Sequence, residues 1–186
     1  MEARITLRRG SPADARFIAE NVLRALHIDE AEEKHIEHLA SICRRDDTLY
    51  SWHNSTIALF DGMPVGLMVA YDGARYRHMR DITFPMILRY VGDDYRSMDD
   101  EACAGEFYLD SLAVLPEFRH KGIASTLIQE MFRQRDEAGI PLATIAVDPE
   151  NESAYRLYTR HGFQHDGRIT VFGTKYDRLV CKQISR

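Results

Sequence analysis

Hydrophobic residues along the chain alternate between two spacings, every second position and every third or fourth, the repeats of strand and helix. Arg4-Ile-Thr-Leu-Arg-Arg9 predicts a first strand. Ser11-Pro-Ala-Asp14 has the chemistry of a helix start, with Ser11 as N-cap, Pro12 at the first helical position and Asp14 in the first turn. Phe17, Ile18, Val22 and Leu26 give that helix an apolar face. A second helix is expected over Lys34 to Arg45, with Ile36, Leu39, Ala40 and Cys43 inward. His35 and His38 then lie on a solvated flank, and no third ligand is evident that would make them a metal pair. Thr56–Phe60 and Val65–Tyr71, joined through Asp61-Gly62 and Met63-Pro64, read as a β-hairpin.

Ala74 to Glu101 breaks this rhythm. Arginines and acids are scattered around apolar Ile82, Phe84, Met86, Ile87, Leu88 and Tyr90, and Pro85 and Gly92 interrupt the run. A helical or irregular insertion is expected, serving either as a lid or as a packing decoration. Regular spacing resumes with a strand over Phe107–Val114 and a helix over Ile123–Ala138 closed by Gly139. Leu142–Val147 is a strand, and Glu152–His161 a short helix with Asn151 as N-cap and Gly162 just past its end. Phe163 is then placed to pack back on Tyr158 or Leu157. Ile169–Gly173 and Arg178–Ile184 can close the sheet.

Composition narrows the class without naming it. At 186 residues, 45% hydrophobic and 28% charged, the chain suits one domain, 1–186, with the insertion at 74–101 near the substrate side. No linker rich in Pro, Gly or Ser divides it. No apolar run approaches a membrane span and no signal peptide opens the chain, so a cytoplasmic protein with no membrane partner is expected. The net charge of −5 leans away from nucleic acid and towards a cationic substrate. Three cysteines, Cys43, Cys103 and Cys181, are read as reduced thiols.

One junction carries more than a turn requires. Between a strand and a helix stands Phe118-Arg-His-Lys-Gly-Ile-Ala-Ser-Thr126. The first turn of a helix leaves backbone N–H groups unpaired at the positive end of its dipole, where an anion binds. Gly122 and Ala124 permit close approach, and Arg119 and Lys121 add charge. The glycine spacing of a Walker A loop or of a dinucleotide fingerprint is absent. On its own the stretch admits a pyrophosphate site or a plain turn with a basic face.

Arg119-His120-Lys121-Gly122-Ile123-Ala124 matches the [RQ]-x-x-G-x-[GA] motif, preceded by Leu112-Ala-Val-Leu-Pro-Glu117. Downstream, Asn151-Glu-Ser-Ala-Tyr-Arg-Leu-Tyr158-Thr-Arg-His-Gly162-Phe163 resembles an N-x-x-A-x-x-L-Y-x-x-x-G-F segment. In both, and in their order, the chain resembles the GNAT superfamily of N-acetyltransferases, densely from Phe107 to Gly167 and more loosely from Arg4 to Tyr71. The resemblance implies an α/β (α+β) fold with a mixed, mostly antiparallel sheet, helices on both faces, and two strands splayed apart for CoA. Here those strands are Phe107–Val114 and Leu142–Val147. The insertion departs from the common plan.

The resemblance further implies acetyl-CoA as cosubstrate and direct attack by an amine of a small molecule or peptide. Arg119–Ala124 would hold the pyrophosphate, Asn151 would contact the pantetheine arm, and the backbone at Leu112 and Val114 would meet the thioester oxygen. Tyr158 matches the general acid. Asp110 and Tyr108 align with positions that supply a base in some branches, and Glu106 shares their strand face, so Asp110 is the first candidate base and Glu106 the second. A strand-edge salt bridge would account for either carboxylate equally well. Members of the family often pair, so a homodimer is compatible. The alternatives are a non-catalytic acyl-CoA-binding module and a protein N-acetyltransferase.

Overall fold

The computed structural model describes residues 4–28, 30–91 and 98–182, with only the backbone for 88–91. Seven strands, β1 (Ile5–Arg9), β2 (Ser55–Phe60), β3 (Met63–Asp72), β4 (Glu106–Val114), β5 (Leu142–Val147), β6 (Gln164–Val171) and β7 (Thr174–Lys182), form one sheet ordered β1-β2-β3-β4-β5-β7-β6. The β1–β2, β2–β3, β5–β7 and β6–β7 pairs are antiparallel, and β4–β5 is parallel. Helices α1 (Ala15–Ala25), α2 (Glu33–Cys43), α3 (Tyr76–Val91), α4 (Ile123–Glu137) and α5 (Glu152–Arg160) complete the mixed sheet architecture expected from the sequence. The chain resolves into two compact units, each made from two stretches: Met1–Ala70 with Ser111–Gln129, and Tyr71–Asp110 with Glu130–Arg186. Neither is a continuous segment, so no linker separates them along the sequence.

In the first unit, Asp61 (φ 49°) and Gly62 (φ 85°) make the β2–β3 turn, the left-handed pair that a tight hairpin favours. Helix α1 starts through a 3₁₀ turn over Pro12–Asp14. The Ser11 N–H and hydroxyl both donate to Asp14 Oδ2 at 2.9 and 2.7 Å, and Arg8 donates to the same carboxylate at 2.7 and 2.8 Å. Ile18 and Val22 are buried, whereas Leu26 lies past the end of α1 and is 53% exposed. In α2, Leu39, Ala40 and Cys43 are buried and Ile36 half-buried. Gly66 of β3 sits at a close approach: a Cβ there would come 3.0 Å from Ile123 Cγ2 and 3.4 Å from the Ala113 carbonyl. The start of α4 is thereby set down on the sheet.

The second unit holds the insertion. Its first part is helix α3, which buries Tyr76, Met79, Thr83, Phe84 and Ile87, a stripe at helical spacing. Pro85 sits inside the helix without ending it, and the Thr83 hydroxyl donates to the Met79 carbonyl at 2.7 Å. Leu88 and Tyr90 are described in backbone only, as part of α3, and Gly92 lies outside the described residues. Beyond them, the Asp99 N–H donates to the Thr170 carbonyl at 3.0 Å, and the Thr170 N–H returns to Asp99 Oδ2 at 2.7 Å, tying the end of the insertion to β6. The last two strands are longer than expected and form a hairpin, turning at Phe172 (φ 48°) and Gly173 (φ 76°). A phenylalanine in the left-handed region is an unusual turn residue, which hid the hairpin from a reading by composition. Ile184, expected to end the last strand, lies outside the described residues.

Candidate functional site

In the first unit, α4 begins directly after the basic turn. Thr126 N–H donates to the Gly122 carbonyl at 3.0 Å, and the amides before it are those that a helix start leaves outside its own ladder. His120 (φ 61°) and Gly122 (φ 82°) are both left-handed. A Cβ built on Gly122 meets nothing within 4 Å, so the protein itself demands glycine there only for backbone conformation. Arg119, His120, Lys121 and Gly122 are exposed, Ile123 is buried and Ala124 half-buried. Arg119 Nε donates to the Val114 carbonyl at 3.3 Å, and Lys121 Nζ stands 5.8 Å from the Phe60 ring centroid. Both cations are thus held at the junction.

Strand β4 alternates along this part of its length: Ser111 and Ala113 are buried, while Asp110, Leu112 and Val114 are half-buried on the opposite face. Its parallel pairing with β5 consists of three partners, Glu106 with Leu142, Phe107 with Ala143 and Tyr108 with Thr144. Both strands run on, β4 to Val114 and β5 to Val147, without further rungs. These are the two strands over which the splay is expected from the sequence.

The second unit gathers two carboxylates and three buried tyrosines. Tyr71 OH donates to Asp110 Oδ2 at 2.8 Å. Tyr108 OH donates to Glu101 Oε2 at 2.8 Å, and Tyr76 OH to Glu101 Oε1 at 3.2 Å. The Tyr71 and Tyr108 rings are 5.8 Å apart and tilted. Burial, followed by the charges of Asp110 and Glu101, pushes Tyr71 and Tyr108 far above the ordinary phenol range, so both remain donors. Glu101 keeps some accessible surface, yet burial is still the largest influence on it, and with the neighbouring charge of Asp110 it holds this carboxyl well above the usual range. Glu101 was not singled out from the sequence. It lies in the insertion, nine positions before Asp110 and off the strand, and no spacing rule connects the two.

Tyr158 is 5% exposed on α5. Asn151 caps that helix by accepting the Ala154 N–H at 3.1 Å. Past its other end, Gly162 is left-handed (φ 88°), and the Phe163 N–H returns to the Tyr158 carbonyl at 3.1 Å. The Phe163 ring packs edge-on against Tyr158 with centroids 5.7 Å apart, so of the two expected contacts the one to Tyr158 forms. Phe132 stacks on Phe163 at 5.7 Å. The Tyr158 hydroxyl donates to none of the described residues. Burial alone pushes its pKa up.

Glu106 is placed differently from Asp110. Its carboxylate pairs with Arg178, accepts the Cys103 N–H at 3.3 Å and meets the Thr144 hydroxyl at 3.4 Å. It therefore fastens β4 to β5 and β7 where β4 and β5 pair. Among the described residues, no group of three or more His, Cys, Asp or Glu is arranged to hold a metal ion. No described helix is long and apolar enough to cross a membrane.

Known proteins share this fold. An acetyltransferase of solved crystal structure has 24% identity, covers 95% of this chain and 98% of its own, and superimposes with a TM-score of 0.76. An N-acetyltransferase from Staphylococcus aureus Mu50 has 19% identity, with 94% and 99% covered and a TM-score of 0.78. The PaiA N-acetyltransferase from Thermoplasma acidophilum, solved in complex with coenzyme A, has 18% identity, with 97% and 99% covered and a TM-score of 0.59. At such identities the likeness speaks for the fold. The acetyltransferase (GNAT) family model matches residues 20–163, which span the basic turn, strands β4 and β5 and the Tyr158 helix. The chain belongs to the GNAT family and is an N-acetyltransferase.

Proposed function

We propose that this protein moves an acetyl group from acetyl-CoA to a primary amine of a small molecule or peptide. The observation that carries the reading is the pairing of β4 with β5, which stops at Tyr108 and Thr144 while β4 continues through Asp110 towards the basic turn. The turn fits a pyrophosphate: a 15-residue helix starts there, Gly122 has open space beside it, and Arg119 and Lys121 are exposed on it. Arg119, His120, Lys121, Gly122, Ile123 and Ala124 are assigned to the phosphates, and Asn151 to the pantetheine arm in addition to its cap. The cosubstrate supplies an activated thioester. The backbone N–H groups of Leu112 and Val114 are assigned to the charge that develops on its oxygen.

An alkylamine of pKa about 10.4 is almost wholly protonated at pH 7, and neutralising it costs roughly 4.6 kcal/mol. Asp110 is assigned as the acceptor of that proton, directly or through water. Of the two candidate carboxylates, Glu106 is committed to Arg178, Thr144 and Cys103, whereas Asp110 sits on the half-open face of β4. Tyr158 is assigned as hydrogen-bond donor to the departing thiolate.

A thermal-shift titration with acetyl-CoA, CoA and ATP tests the cosubstrate, followed by thiol release across a panel of mono- and diamines, lysine peptides and intact proteins. Ligand at about 100 times Kd adds roughly 2.7 kcal/mol, well within detection. Stabilisation by acetyl-CoA with turnover on a free amine supports the reading. Stabilisation without turnover on any acceptor indicates an acyl-CoA-binding module, and turnover only on intact proteins indicates a protein acetyltransferase. No shift with either CoA form at millimolar concentration refutes the proposal.

A further inference from the structure

Three consecutive acids fasten the end of the insertion, each to a different place. Asp99 exchanges hydrogen bonds with Thr170 of β6. Asp100 takes two cations from the first turns of α3: Arg77 Nε donates to its Oδ2 and Arg80 Nη1 to its Oδ1, both at 2.6 Å. Glu101, half-buried, takes a hydroxyl on each oxygen, Tyr76 OH of α3 at 3.2 Å and Tyr108 OH of β4 at 2.8 Å. Residues 99–101 therefore bridge the start of α3 to β4 and β6. The later part of the helix is held differently, through buried Phe84, whose ring meets that of Phe172 at 5.2 Å.

The ties differ in what a proton does to them. Asp100 has guanidinium partners, whereas Glu101 makes no ion pair among the described residues. The groups that bear on Glu101 are Tyr76 and Arg80 from α3, Tyr71 from β3, Tyr108 and Asp110 from β4, and Tyr176 from β7. Burial and the charge of Asp110 outweigh the two tyrosine hydrogen bonds and Arg80, and hold the Glu101 carboxyl above its usual range. A neutral carboxyl can also keep both tyrosine bonds, donating to one hydroxyl oxygen and accepting from the other, so protonation costs no hydrogen bond.

We propose that residues 99–101 are a proton-sensitive latch on the start of α3, closed on β4 and β6 while Glu101 is neutral and loosened when Glu101 ionises. Ionisation puts a charge where water solvates it poorly, and opening the latch lets water reach it. Because the folded carboxyl holds its proton more tightly than an exposed one, the hold is complete below pH 4.5 and is lost as pH rises from there through the raised folded value. The latch involves neither acetyl-CoA nor an amine, so it stands or falls separately from the acetyl-transfer reading.

Amide hydrogen exchange of the full chain, corrected for the intrinsic effect of pH on exchange, tests it. Between pH 5 and pH 8 the protection of the Arg80, Asp81 and Ile82 amides, which close the first turns of α3, should fall about tenfold or more. The amides of Met131–Arg135 in α4 should keep theirs over the same range. In Glu101→Gln, whose side-chain amide donates to one tyrosine and accepts from the other as the neutral carboxyl does, protection of α3 at pH 8 should equal that at pH 5. Unchanged protection of α3 in the natural protein overturns the proposal. So does a fall that persists in Glu101→Gln, or one that α4 shares in equal measure. If Glu101→Gln does not fold, Tyr108→Phe decides: it removes a hydrogen bond that favours the ionised carboxyl, so the fall should move to higher pH, and a fall that stays in place refutes the latch.

Discussion

Removing one oxygen from Tyr158 separates a catalytic role from a packing role. The ring is buried and held by Phe163 at 5.7 Å, and phenylalanine preserves that contact. The hydroxyl donates to none of the described residues, so Tyr158→Phe leaves no orphaned partner and should change stability by less than about 0.5 kcal/mol. Catalysis is another matter. A phenol of pKa about 10 is a weaker acid than a thiol near 8.5, which makes full proton transfer uphill by about 2 kcal/mol, and burial of Tyr158 steepens the slope. The hydroxyl is thus suited to donating a hydrogen bond to the departing thiolate without giving up its proton. A hydrogen bond to a charged group contributes about 1.5–3 kcal/mol, so kcat should fall roughly tenfold to 150-fold. Acetyl-CoA affinity, read by thermal shift, should stay within about twofold. The natural enzyme should show no alkaline fall in kcat from this group below about pH 10, because burial moves the phenol upwards from there. Steady-state kinetics across pH, with melting curves for both proteins, measures all of this. Normal turnover by a well-folded Tyr158→Phe enzyme would refute the role.

Three further outcomes are expected. Gly122→Asn places a residue that tolerates the left-handed region at φ 82°, so the fold should persist while acetyl-CoA affinity drops at least tenfold in isothermal titration; unchanged affinity would count against the phosphate turn. Glu106→Ala leaves Arg178 with Asp166 as its remaining partner and strips Thr144 and Cys103 of the carboxylate, and should cost about 1–3 kcal/mol in urea denaturation. Asp14 is lowered to about 2, chiefly by the Arg8 hydrogen bond, and its unfolded value is 3.8. Because the folded pKa is depressed, its stabilisation is present above pH 3.8 and is lost as pH falls towards 2. The shift corresponds to at most about 2.4 kcal/mol, discounted to about 1 kcal/mol for an Arg8 side chain that is 39% exposed. Asp14→Asn should flatten the stability curve between those pH values, and an unchanged slope would show that the pair contributes nothing.

Local rules acting over a few residues were legible in the sequence. Pro12 and Asp14 mark the start of the first helical segment, Asp61-Gly62 a tight turn, Gly139 and Gly162 helix ends, and Asn151 a cap, each because one backbone conformation or one hydrogen bond is decided locally. The basic turn and the Tyr158 segment stood out for the same reason: their chemistry and spacing lie within a dozen residues. Periodicity failed where geometry was not local. Leu26 continued the apolar stripe of α1 but falls beyond the helix end, and Phe172 gave no turn signal although it adopts the left-handed conformation.

Only the tertiary structure distinguishes the surroundings of the two strand carboxylates. Glu106 and Asp110 are equivalent by alternation on β4, yet Arg178 arrives from β7 to claim the first, while Tyr71 from β3 reaches the second. Glu101 entered the cluster because Tyr76 and Tyr108, 32 positions apart in the chain, close on it from α3 and β4. Charge interaction depends on distance through space and on the exclusion of water, and neither quantity is written in the order of residues.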